Sequence, residues 1–318
     1  MKVRPEETLL GILFIFFAVL RYTVGLTPIP IICILVNGAL IILLSFPILF
    51  SIHLVRILYV FLYSEREDYV KNHLKWHTNI LKEEIHFFMD SLPFVLMFIA
   101  YDVLVFEGNV IHLINPNDKD LMLIYYDQKF FGFQASHLTQ LFIRPWVTGL
   151  MQIAYSLHFI LPIAVAAVIY FSRQKTMFRD IILGIVLVNF IGFLGYFIVP
   201  AVGPSYHLHY SVPLQLSNLP TKAYNMVYNL EELSESTPRN VFPGLHVGLS
   251  TVVLVFAYKF GRKTFIVLTP FVLLEWFSTI YLRIHYLVDN VAGFILALFC
   301  IWCSQKINRW WYRRTDYS

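Results

Sequence analysis

Two short stretches of the chain carry the residue types that chemistry needs. "FPGLHVG", residues 242–248, places His246 at the mouth of a long apolar run, just after Pro243 and Gly244. "YLRIHYLVDN", residues 281–290, sets Arg283, His285 and Asp289 close together. His285 and Asp289 are four residues apart, so on a helix they share a face. A carboxylate so placed accepts a hydrogen bond from one imidazole nitrogen. That fixes the tautomer and leaves the other nitrogen free and more basic, as a nucleophile or base requires. Arg283 supplies a planar, permanently charged fork that matches a phosphate. His246 falls at an expected helix start, where backbone N–H groups favour anions. Together these parts suit phosphoryl transfer. One histidine attacks phosphorus, a second protonates the leaving oxygen, and cations with backbone amides hold the remaining oxygens.

The elements that must position these residues are membrane helices. Of 318 residues 58% are hydrophobic and 14% charged, whereas soluble domains carry about 25% charged residues. Eight apolar stretches are candidate spans: residues 8–26, 31–52, 87–106, 146–171, 181–200, 245–260, 264–281 and 287–304. Each is expected to be long enough, allowing for tilt, to cross about 30 Å of hydrocarbon, the sixth and seventh being the shortest. Residues 64–86 mix charges with apolar residues at helical spacing and read as an amphipathic interfacial helix. Residues 107–144 read as a mixed loop that can hold a re-entrant or interfacial piece, and 201–243 as a long polar loop punctuated by proline and glycine. The apolar N-terminal stretch lacks a small-residue cleavage site and reads as a retained helix rather than a signal peptide. The expected fold is all-α, a polytopic transmembrane bundle. Its parts are an N-terminal hairpin (1–63), the interfacial helix (64–86), a six-helix core (87–304) and a cytoplasmic tail (305–318).

Lysines and arginines fix an expected orientation. Sixteen collect at the N-terminus, residues 64–86, 172–180 and 259–263, and the C-terminus; six lie in the alternate loops. Both termini are therefore expected in the cytoplasm, with His246 and His285 together on the far side. No basic tract suits nucleic acid. Cys33, Cys300 and Cys303 lie within apolar runs and form no disulfide or zinc pattern. No Asp/Glu/His cluster has metal-ligand spacing, so neither metal nor cofactor is expected. His53, His86, His112, His137 and His158 read as interfacial polar residues.

"FPGLHVG" followed by "STIYLRIHYLVDNVAG" resembles the second and third signature motifs of the type 2 phosphatidic acid phosphatase superfamily. The likeness is to the branch with fungal inositol phosphorylceramide synthase and its bacterial relatives, and it covers residues 87–304. The resemblance implies that His285 forms a phosphohistidine, that Asp289 orients it, and that His246 is general acid and then general base. Three departures stand out. Gly244 replaces the motif's usual serine, its N–H a partial substitute for the missing hydroxyl. Thr279 replaces an arginine, for which Arg283, one turn later on the same face, is the expected stand-in. The first motif, Lys-x6-Arg-Pro, is absent, and Gly203 and Tyr206 in "VGPSYHL" occupy its place as candidate substrate contacts. Arg239 is a further candidate cation near His246, although a solvated loop charge is the plainer reading.

The expected activity is transfer of a phosphoryl or phospho-headgroup from a membrane lipid, through a phosphohistidine, to an alcohol acceptor such as a polyol. Water as acceptor, giving a lipid phosphate phosphatase, is the alternative within the class. A non-enzymatic lipid carrier or degenerate family member is the alternative outside it, and it would more often show repeated halves with broken spans, of which the sequence has none. The expected location is a bacterial cytoplasmic membrane with the site on the extracytoplasmic face, or a lumenal face of the ER or Golgi in a eukaryote. The oligomeric state is left open.

Overall fold

The computed structural model describes residues 4–27, 66–100, 109–214 and 239–315, with the single residues 29 and 54. The span expected over 31–52 lies outside the described residues. The helices are α1 (Pro5–Thr23), α2 (Arg66–Ile99), α3 (Val110–Ile114), α4 (Asp120–Phe131), α5 (Ala135–Leu138), α6 (Pro145–Phe171), α7 (Lys175–Ile198), α8 (Pro204–His207), α9 (Leu245–Phe260), α10 (Arg262–Tyr281) and α11 (Leu287–Thr315), with a 3-10 turn at Thr139–Phe142. No strand occurs among the described residues. In hydrocarbon every backbone N–H and C=O must be satisfied within the chain, and helices do this locally.

By length and apolar composition alone, α7, α10 and α11 can cross a membrane, and α6, bent by 46°, is a fourth. A proline inside α6, Pro162, lacks the N–H that a straight helix needs and is the natural source of a bend. Helix α9 is shorter, at 16 residues. Helix α1 carries Glu6, Glu7 and Arg21, and α2 carries Lys82, Glu83, Glu84 and Asp90 along its second half. The interfacial segment and the start of the third expected span form one continuous helix, α2. Helix α11 likewise runs on past residue 304.

The core sits where α9 packs against α6, α7, α10 and α11, with α7 also against α6 and α11, α10 against α6, and α1 and α2 flanking α7. Apolar side chains such as Phe193, Val252, Phe256 and Ala297 fill it. Polar contacts mark one end of the bundle. Arg4 Nη1 reaches Asp90 Oδ1 at 2.8 Å, Asn308 Nδ2 reaches Asp180 Oδ1 at 2.8 Å, and Arg179 Nη1 reaches the Tyr312 hydroxyl at 2.5 Å. This end gathers the start of α1, the middle of α2, the start of α7 and the close of α11. The histidine-bearing segments lie at the opposite end.

Candidate active site

The N-terminus of α9 is keyed into α7. Opposite Gly192 and Gly195 stand Leu245 and Pro243; a Cβ on Gly192 would run into the Leu245 side chain, and one on Gly195 would lie 2.5 Å from Pro243 Cδ. Those glycines open the slot that fixes where His246 emerges, one residue into α9. Gly244, the N-cap, donates its N–H to the Asp289 carbonyl oxygen at 2.9 Å. A Cβ on Gly244 would meet Asn290 Oδ1 at 2.7 Å and the Asp289 carbonyl at 3.0 Å. The glycine is there for close packing against α11. Its amide is already engaged, so the expectation that it substitutes for a phosphate-binding hydroxyl is not met.

The turn that carries His285 closes α10. Arg283 N–H bonds the Ile280 carbonyl at 3.0 Å and Ile284 N–H bonds the Thr279 carbonyl at 3.1 Å. This is a Schellman closure, with Arg283 at φ 63° in the left-handed position that usually belongs to glycine. His285 N–H also reaches the Thr279 carbonyl, at 3.2 Å. Thr279 is fully buried, and its hydroxyl accepts a bond from Asn290 Nδ2 at 2.7 Å. The place of the family's arginine is thus filled by a threonine that holds His285's backbone and ties α10 to α11. The helix ends before Arg283, so the two positions do not share a helical face as expected.

His285 and Asp289 meet, though not along a helix, because α11 begins only at Leu287. Asp289 lies in its first turn and reaches back. One oxygen, Oδ2, accepts the Tyr286 N–H at 3.1 Å and faces His285 Nδ1 at 3.4 Å. This is the N-terminal half of a capping box, used to aim an imidazole. Both side chains are buried. His285 Nε2 then points at His246 Nδ1, 3.3 Å away.

The network assigns the protons. Asp289 in its charged form can only accept, so His285 carries its proton on Nδ1 and Nε2 is a bare lone pair. The His246 contact then requires His246 to donate from Nδ1. The nucleophilic nitrogen and the acid proton are hydrogen-bonded to each other here, so a phosphoester must part the two rings to meet both.

Four flanking residues were not expected to take part. Asp120, buried at the start of α4, accepts the Val202 and Gly203 amides at 3.0 and 2.8 Å and the Tyr286 hydroxyl at 2.9 Å. Asp127, seven residues on and on the same face, accepts the Leu287 and Val288 amides at 3.1 and 2.7 Å, capping α11 from another helix. Burial pushes its carboxyl above the ordinary carboxylate range, against the pull of the two amides. Tyr155 and His158 of α6 flank His246, each with its ring centroid 4.2 Å from the His246 ring. The carboxylates sit in a stretch that reads as loop, and a histidine within an apolar run has no sequence signal that separates it from an interfacial one.

The remaining candidates do not all reach this centre. Arg283 is buried; its Cζ stacks 3.7 Å from the Tyr210 ring centroid, Nη2 donates to the Val212 carbonyl at 2.5 Å, and Nε has no hydrogen-bond partner among the described residues. Gly203 has φ 100°, and a Cβ on it would stand 2.5 Å from the Ile284 carbonyl oxygen. Its backbone seats the 283–285 turn, with Ser205 N–H on the Arg283 carbonyl at 3.1 Å, rather than facing a substrate. Tyr206 is 61% exposed, outside the buried centre. Arg239 does not stand free beside His246; it forks onto Asp118, with Nε–Oδ1 2.6 Å and Nη2–Oδ2 3.1 Å.

A helical membrane bundle with two histidine-bearing turns meeting at one end agrees with the match of residues 122–303, more than half the chain, to the PAP2 superfamily. The chain belongs to that superfamily and is an integral membrane protein. Its similarity runs to the inositol phosphorylceramide synthase branch. It is 29% identical over 149 residues to phosphoinositol dihydroceramide synthase of Bacteroides thetaiotaomicron, covering 43% of this chain and 48% of the relative. To inositol phosphorylceramide synthase of Candida albicans it is 30% identical over 153 residues, covering 45% and 32%. To the inositol phosphorylceramide synthase catalytic subunit AUR1 of Saccharomyces cerevisiae it is 25% identical over 188 residues, covering 50% and 47%. The matched segments thus span less than half the length of each relative. No solved structure matches the chain.

Proposed function

We propose that this protein transfers a phospho-headgroup from a membrane lipid to a lipid alcohol through a phosphohistidine at His285. The observation that carries the reading is the 3.3 Å approach of His285 Nε2 to His246 Nδ1, with Asp289 behind His285. In the first step the Nε2 lone pair attacks phosphorus. The bond from phosphorus to the lipid alcohol oxygen breaks, and that oxygen takes the Nδ1 proton of His246. In the second step His246 Nδ1 takes the acceptor's proton, the acceptor oxygen attacks phosphorus, and the P–N electron pair returns to His285. Asp289 keeps the His285 ring oriented and offsets the positive charge that builds on it. Arg283, whose Nε has no hydrogen-bond partner among the described residues, is the cation for the phosphate oxygens. The first turn of α9 directs its N-terminal amides to the same region.

The names of the relatives suggest phosphoinositol as the group moved and a ceramide or dihydroceramide as acceptor. The lysine and arginine asymmetry favours a site on the extracytoplasmic face. The test is purified protein in lipid vesicles with inositol-labelled phosphatidylinositol, with and without dihydroceramide. Label moving onto dihydroceramide supports transfer. Release of water-soluble inositol phosphate alone makes water the acceptor, a phospholipase C-type hydrolysis, and unchanged label rejects this donor.

A further inference from the structure

His158 lies in the body of α6, 6% exposed. A histidine that deep in a membrane bundle is costly unless its polar atoms are used. Its Nδ1 is 2.7 Å from the Tyr155 carbonyl oxygen. A carbonyl only accepts, so Nδ1 carries the proton, and the ring is fixed in one tautomer by its own helix. Tyr155 and His158 stand three residues apart, on one helix face. That face meets His246 from two directions. The Tyr155 ring lies nearly parallel to the His246 ring, at 29°, while the His158 ring meets it edge-on, at 71°.

We propose that Tyr155 and His158 form a holder for the His246 ring, His158 being a positioning residue that keeps Nδ1–H of His246 aimed into the gap in front of His285. The proposal rests on His246 being the proton donor of the reaction proposed above. A ring free to turn about its Cβ–Cγ bond would present carbon or the wrong nitrogen to the leaving oxygen. With Tyr155 on its face and His158 against its side, His246 cannot turn without displacing one of them. The holder also bears on charge. Two imidazolium ions in ring contact would repel each other strongly in a buried site. A His158 kept neutral by burial therefore leaves His246 free to take the acceptor's proton, while its bond to Tyr155 fixes the tautomer.

The test separates proton donation from folding by varying the leaving group. Phosphatidylinositol must lose an aliphatic alcohol, which needs a proton; inositol p-nitrophenyl phosphate loses p-nitrophenolate, which does not. The quantity read is the ratio of the two rates, which does not depend on how much of the sample is folded. His158→Asn should lower turnover of phosphatidylinositol by about 10²-fold, the scale of a misplaced reacting group, and the aryl release only a few-fold. Tyr155→Leu should do the same, and carries the test if His158→Asn yields no folded protein. Adding His158→Asn to His246→Asn should move the ratio no further. An unchanged ratio in both α6 variants, with the ratio shifted in His246→Asn, overturns the holder. An unchanged ratio in His246→Asn itself overturns the proton-donor reading instead.

Discussion

The backbones of Gly244 and Gly293 touch across the α9–α11 crossing: a Cβ on Gly293 would run into the Gly244 carbonyl, with the Gly244 Cα only 3.3 Å off. Asp289 sits one helical turn before Gly293, and Gly244 two residues before His246. The contact therefore sets the distance between the two catalytic candidates. Gly293→Ala should force the helices apart. Overpacking costs about 1–3 kcal/mol, and activity should fall further than stability because the histidine gap widens. Thermal unfolding in detergent beside a turnover assay reads both. Gly244→Ser, which restores the family's usual residue, should also lose activity, because its Cβ meets Asn290 and the Asp289 carbonyl.

Asp127 holds the start of α11 from outside it. Asp127→Ala leaves the Leu287 and Val288 amides without their acceptor, and loss of a cap costs about 0.5–2 kcal/mol. Asp127→Asn keeps one acceptor oxygen and should lose less. Amide exchange at 285–289, followed by mass spectrometry, should rise selectively in the alanine variant. Unchanged protection there would show that the cap does not hold the turn.

Much of the fold was legible because apolar runs punctuated by proline and glycine are what membrane helices are made of. The ends of α6, α9 and α10 and the start of α11 fall within a few residues of the expected spans. The His285–Asp289 contact was also legible, but through the wrong geometry. The spacing suits a helix, whereas the chain uses a helix start with Asp289 reaching back over Tyr286. Gly244 read as a missing hydroxyl because its packing partner, Gly293, is distant in sequence. Asp120 and Asp127 read as loop charges, since only the folded chain shows that α4 turns both toward the site. His158 carried no signal at all; its meaning depends on which ring it touches.

Arg283 occupies a left-handed backbone position that glycine would take without strain, at a cost of about 1–2 kcal/mol. A side-chain role explains its presence. In Arg283→Gly the relieved backbone should roughly offset the lost stacking on Tyr210, itself about 0.5–2 kcal/mol. Folded yield should stay near the parent while turnover drops about 10²–10³-fold, as for a lost oxyanion donor. Arg283→Lys should also be impaired, since lysine lacks the planar fork. If Arg283→Gly unfolds and Arg283→Lys turns over normally, the residue is an anchor for the 208–214 segment and not a phosphate ligand.

The orientation can be read by labelling single cysteines after Cys33, Cys300 and Cys303 are replaced. Ser205→Cys, beside the site, should react with an impermeant maleimide added from the extracytoplasmic side. Lys263→Cys, in the first turn of α10, should react only after permeabilisation. The reverse pattern would put the site in the cytoplasm.

The central claim is that His285 becomes covalently phosphorylated. Purified protein given phosphatidylinositol labelled in the headgroup phosphate, quenched in alkali without acceptor and digested, should carry an acid-labile, base-stable label on the peptide containing His285. His285→Gln should abolish the label while leaving the protein folded. Label on any other residue, or full turnover by His285→Gln, would contradict the account.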